Sequence, residues 1–190
     1  MSEQEIKLTF PLLFRNIVWI FLFAALGVLW ALCSEGMSSR VVQGCVLAFF
    51  LSGIAVLDFR YGLIFDRWLA VMLLCVIALR LFFGYGEWVS AIISAAGFSG
   101  LLLFLRAVSH GGMGGGDIKL AFVLGLWLSW PGTFMGAVVS FWLGGLAALF
   151  LLIKKEKTVE AKIPFGPFLA LGSWIAFLYG NKLWEWLQGL

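Results

Sequence analysis

Aspartate is scarce in this chain: of ten acidic residues only three are Asp, at positions 58, 66 and 117. Asp117 closes the run Ser109-His110-Gly111-Gly112-Met113-Gly114-Gly115-Gly116-Asp117-Ile118-Lys119, in which five glycines fill six consecutive positions. A run of that kind lets backbone come close to a ligand or to another segment. It is not a phosphate cradle, because the Gly-Lys-Ser/Thr ending is absent and a carboxylate repels phosphate. It suits the presentation of a carboxylate at a helix start, near the positive end of the dipole and beside Lys119. Asp58 sits in Leu57-Asp58-Phe59-Arg60-Tyr61-Gly62-Leu63-Ile64-Phe65-Asp66-Arg67, directly after an apolar run. Asp66, flanked by Arg67, reads as a surface-loop acid or a cap of the next helix. Two carboxylates that meet share a proton, since close like charges do not both ionise. One then takes a proton from water while the other donates a hydrogen bond to a scissile carbonyl. Taken alone, Asp58 fits a helix-end cap equally well, and sequence distance does not bring the pair together. His110 is the only histidine and has no second ligand near it, and Cys33, Cys45 and Cys75 form no C-x-x-C pair. No metal site or disulfide framework is indicated.

The elements that must position these residues are membrane helices. The chain has 190 residues, 63% hydrophobic and 12% charged, with a mean hydropathy of +1.04. Soluble domains carry about 25% charged residues. The apolar runs predict an all-α polytopic membrane bundle of about seven transmembrane helices, within a range of six to eight. The expected spans are 10–33, 41–57, 68–83, 88–108, 118–130, 131–153 and 164–180, preceded by a polar lead and followed by an interfacial tail over 181–190. The span at 118–130 would be only about 20 Å long, so its end is expected inside the protein or in a thinned region. That composition excludes a cytosolic nucleotide-binding domain, a nucleic-acid module and a large extracellular receptor domain.

Alternating the loops places Lys7, Arg15, Arg60, Arg67, Arg106, Lys119, Lys154, Lys155, Lys157 and Lys162 on one side, against Arg40, Arg80 and Lys182 on the other. This bias predicts a cytoplasmic N-terminus and puts Asp58 and Asp117 at the same, cytoplasmic, edge. Trp30, Trp68, Trp88, Trp130 and Trp184 fall near span ends and read as an interfacial aromatic belt. Gly132, Gly136, Ser140, Gly144 and Ala148 recur every four residues, which predicts a helix face for close packing.

Three motifs then appear in order. Gly114-x-Gly116-Asp117-x-Lys119 resembles the GxGD element of the prepilin peptidase, or type IV leader peptidase, family. Lys162-Ile163-Pro164-Phe165-Gly166-Pro167-Phe168-Leu169-Ala170-Leu171-Gly172 is similar to that family's I-P-F-G-P-F-L-A-x-G segment, and Asp58-Phe59-Arg60-Tyr61 with Ile64 to its D-x-R-x-x-x-I-P motif. The resemblance implies an integral-membrane aspartic endopeptidase with Asp58 and Asp117 as catalytic dyad. Its substrates would be type IV prepilins or pseudopilins, of pilus or type II secretion systems, with a short basic leader followed by an apolar helix. Gly114, Gly116, Lys119, Arg60, Pro164, Gly166 and Pro167 are the expected loop-shaping or substrate-binding residues. No metal, cofactor or nucleic-acid partner is implied; the surroundings are membrane lipid.

The implied location is a bacterial inner membrane with the active site facing the cytoplasm. The domain organisation is a cytosolic lead with an extra N-terminal helix over 1–40, a peptidase core over 41–180 and the tail over 181–190. Two departures stand out. Phe65 replaces the family's Pro after Ile64, and the paired C-x-x-C insertion linked to N-methylation is absent, so methyltransferase activity is not expected. A transporter with acids at the membrane edge, a non-catalytic pilus or secretion assembly protein, and a presenilin-type intramembrane protease are the competing readings.

Overall fold

The computed structural model describes residues 19–20, 22–26, 28–29, 39–84, 87–109, 112–153 and 164–189. The lead 1–9, Cys33, Trp30, His110 and the Lys154 to Lys162 run lie outside the described residues. Among these residues the chain is helical except for short links: α1 (described at 19–20, 22–26 and 28–29), α2 (Ser39–Tyr61), α3 (Asp66–Phe83), α4 (Trp88–Val108), α5 (Gly115–Ile153) and α6 (Gly166–Gln188).

Among the described residues the count is six, at the lower end of the expected six to eight rather than about seven. The expected spans 118–130 and 131–153 are two parts of α5, which runs for 39 residues and leaves helical geometry only at Ser129 (φ 54°, ψ −174°) and Trp130 (φ −84°, ψ 140°). The reason is local. Pro131 has no N–H to give the preceding turn, and its ring pushes Trp130 into an extended conformation. Proline is also well suited to open a helix, so the second part resumes with no connecting loop. Likewise 181–188 is no separate turn but the continuation of α6.

Among the described residues three helices are long and apolar enough to cross a membrane: Arg40–Tyr61, Trp88–Val108 and Gly115–Leu151. The last would be about 55 Å long if straight, far more than a hydrocarbon core of about 30 Å, and the break at Ser129 divides it.

α5 lies at the centre, packed along α4 and α6, while α2 packs on α6 and α3. Buried Ala91, Ser94, Ala95, Phe98 and Leu102 form the inner face of α4, and a Cβ at Gly125 of α5 would overlap the Ala95 and Ser94 backbone. The stripe of small residues packs as its spacing predicts. Gly132 meets Gly180, Gly136 meets Ser173 and Ala176, Ser140 meets Gly172, and Gly144 meets Phe165. Backbone-to-backbone packing of this kind fixes two helices in register. Of the expected belt, Trp130 is exposed and its ring meets Trp184 edge-on at 5.1 Å between centroids. Trp68 instead joins the core. Its indole N–H donates to Phe50 O at 3.1 Å, and its ring lies over Gly53.

Candidate active site

The end of α2, the start of α5 and the start of α6 converge at one end of the bundle. α2 stops where Gly62 takes a left-handed conformation (φ 63°) and its N–H donates to Asp58 O at 2.8 Å, a glycine-terminated helix end. One turn before this stop, Asp58 points inward and is 5% exposed, whereas Phe59 and Arg60 point outward. Asp117, in the first turn of α5, is 7% exposed. The Asp58 charge bears on Asp117 across this end of the bundle.

Each is held by a glycine. The Gly166 N–H, at the start of α6, donates to Asp58 Oδ2 at 2.8 Å. A Cβ on Gly166 would stand 2.6 Å from that oxygen, so the amide approaches this closely only because the residue is glycine. Asp117 is hydrogen-bonded by the Gly114 amide, and a Cβ there would lie 2.9 Å from Asp117 Oδ2. Gly116 presses on Ile64 in the α2–α3 link, where a Cβ would come within 2.8 Å of Ile64 Cβ. Asp117 Oδ1 is buried and has no hydrogen-bond partner among the described residues. Buried polar atoms are nearly always paired, which sets this oxygen apart.

The other expected site residues are placed differently. Lys119 does not serve Asp117. It is two positions along the helix, and residues at that spacing face different sides; its Nζ reaches Asp66 Oδ2 at 2.6 Å, with both side chains about half exposed. Asp66 is the first residue of α3, following Phe65 at the N-cap, so it sits in the first turn rather than capping it. The Arg60 guanidinium lies over the Trp19 ring, 5.9 Å from its centroid. Pro164 precedes α6 and Pro167 lies in its first turn. Pro167, Arg60 and Trp19 border an apolar groove of about 630 Å³ between α1, α2 and α6.

Phe65 is buried, with φ −77° and ψ 127°, angles proline itself adopts. A proline at this position would therefore need no other backbone conformation.

Sequence reasoning passed over Arg80, counted above only as a topological charge. It is 2% exposed. The signal was present: a charge inside the apolar stretch Ile77-Ala78-Leu79-Arg80-Leu81-Phe82 is costly and calls for a partner.

The model of the "Type IV leader peptidase family" matches residues 45–149, which include both aspartates and the glycine run. A protein of Bacillus subtilis named prepilin leader peptidase/N-methyltransferase is 32% identical over 166 residues, 85% of this chain and 63% of that protein. Proteins of the same name from Aeromonas salmonicida and Pseudomonas putida are each 37% identical, over 75 and 82 residues, or 40% and 43% of this chain and 26% and 28% of theirs. The chain thus spans less than two thirds of the length of these relatives. No solved structure matches it.

Proposed function

Because this chain belongs to the type IV leader peptidase family, we propose that it is a membrane-embedded aspartic endopeptidase that removes the short basic leader from type IV prepilin-like or pseudopilin substrates. The observation that carries this reading is the pair of buried carboxylates, Asp58 and Asp117, each steadied by a glycine amide from a different segment. One ionised carboxylate takes a proton from water as its oxygen attacks the scissile carbonyl carbon. The other, protonated, donates a hydrogen bond to the carbonyl oxygen and stabilises the developing charge. Collapse of the tetrahedral intermediate breaks the C–N bond, and the proton taken from water passes to the leaving amine. The assignment of acid and base belongs to the pair rather than to either residue.

The peptidase core is 41–180, in a bacterial inner membrane, with the dyad at the cytoplasmic edge, as the bias of Lys and Arg supports. A substrate with a cytosolic leader and a membrane helix would then bring its scissile bond to the level of the dyad. The reading covers leader cleavage alone.

Co-expression with a tagged prepilin tests it, leader loss being read as a mobility shift. The unmodified chain cleaves. Asp58→Asn and Asp117→Asn each abolish cleavage at unchanged membrane abundance, and Asp66→Asn retains it, since an exposed ion pair contributes less than about 1 kcal/mol. Cleavage near the normal rate by either dyad variant overturns the assignment; no cleavage by the unmodified chain leaves the transporter or assembly reading standing.

A further inference from the structure

Arg80 is a buried cation in the last turn of α3, at the end of that helix away from the carboxylates. From Asp66 at the start of α3 to Arg80 is 14 residues, about 21 Å along the axis. Its guanidinium meets the break in α5. Nε donates to Leu126 O at 2.8 Å and Nη2 donates to Ser129 Oγ, while the group lies over the Trp88 ring, 5.7 Å from its centroid.

The first part of α5, 115–128, ends at this point. A helix end leaves its last carbonyls without partners and carries partial negative charge. Arg80 supplies both a donor and a positive charge there. Thr133 Oγ1 donates to Ser129 O at 2.8 Å, and Trp130 N–H to Ser90 Oγ at 3.2 Å. The break is thus a built joint, with its polar groups answered by α3, α4 and the second part of α5.

This joint has a geometric role. Asp117 lies nine residues from Leu126 on the first part of α5, about 14 Å along one rod. The second part is locked by its small-residue stripe to α6, whose first residue, Gly166, holds Asp58. Asp117 therefore lies on one side of the joint, while Asp58, carried by α2, is bonded to an element fixed to the other side. The α3 helix ties the first part at both ends, through Lys119–Asp66 near the site and Arg80 at the break. The first tie is exposed and weak, and the second is buried.

We propose that Arg80 is a positioning residue for the dyad: by fixing the end of the first part of α5 it sets where Asp117 stands relative to Asp58. This rests on the peptidase reading above. A fork of planar donors fits the task, and a lysine would supply the charge without the second directed bond.

The test uses the full chain, purified in detergent or lipid, with a prepilin-like substrate. Arg80→Leu, Arg80→Lys and Ser129→Ala are compared by kcat per folded molecule and by the pH–rate profile. A misplacement of about 1 Å costs roughly a hundredfold in rate. Coupling between two carboxylates depends on their separation, so a moved Asp117 also changes the profile. The expected result is a fall in kcat of about ten- to a hundredfold for Arg80→Leu, smaller falls for Arg80→Lys and Ser129→Ala, and an altered profile in each. A fall in folded yield alone, or in kcat with the profile unchanged, overturns the proposal. Should Arg80→Leu not fold, the other two decide by the same criteria. Asp117→Asn in the same assay separates the two readings: if it still cleaves, the dyad assignment fails, and if it does not while the Arg80 and Ser129 variants match the unmodified chain, the positioning role alone fails.

Discussion

Asp58 and Asp117 are each bonded by a glycine amide, and Asp117 Oδ1 has no hydrogen-bond partner among the described residues. Holding a buried carboxylate by backbone rather than by a side chain fixes its orientation without bringing in a cation. It also makes the holder intolerant of change. Gly166→Ala introduces a Cβ at 2.6 Å from Asp58 Oδ2, and either the carboxylate or the start of α6 must yield. Cleavage is expected to fall by about a hundredfold or more, with membrane abundance preserved, measured by the mobility-shift assay beside an immunoblot. Retention of more than half the normal rate would show that this amide is not needed. The sequence motifs named Gly166 as a site residue without saying what it does. Its partner is 108 positions away, and no local pattern reports such a pairing. Lys119 shows the converse: adjacency in sequence suggested help for Asp117, and helix geometry sent it to Asp66.

At the scale of elements, the small residues of α5 divide by what they face. Gly125 touches the α4 backbone, whereas Gly145 has open space about it. Gly145→Ala is expected to leave thermal stability unchanged or raise it by up to about 1 kcal/mol, the gain in helix propensity. Gly125→Val is expected to lower the melting temperature clearly, because the backbones of α4 and α5 must part. Equal melting temperatures for the two variants would refute the packing. Period-four spacing made the separate stripe from Gly132 to Gly144 legible in the sequence, and the boundaries of α3 and α4 were likewise close. The link between 118–130 and 131–153 was not legible as a joint, since proline marks a break but does not say whether a loop follows. Direct resumption of the helix depends on Arg80, Ser90 and Thr133 answering the polar groups there.

For the whole molecule, the proposed orientation puts the carboxylate end in the cytoplasm and the α3–α4 link on the other side. In a background lacking Cys33, Cys45 and Cys75, Glu87→Cys is expected to react with a membrane-impermeant maleimide added to spheroplasts. Ser109→Cys should react only in inverted vesicles. The reverse pattern would place the dyad outside and overturn the cytoplasmic reading. The scarcity of charge and the length of the apolar runs determined by themselves that this chain is a helical membrane protein, because hydrocarbon requires backbone polar groups to be satisfied within each segment. Three short motifs singled out the two aspartates and their glycines. Tertiary structure alone decided that Asp58 and Asp117 are buried at the same end of the bundle, that the Gly166 amide holds Asp58 Oδ2, and that a buried arginine binds the end of the first part of α5. Those facts depend on distances between segments far apart in the chain, set by how closely helix backbones can approach.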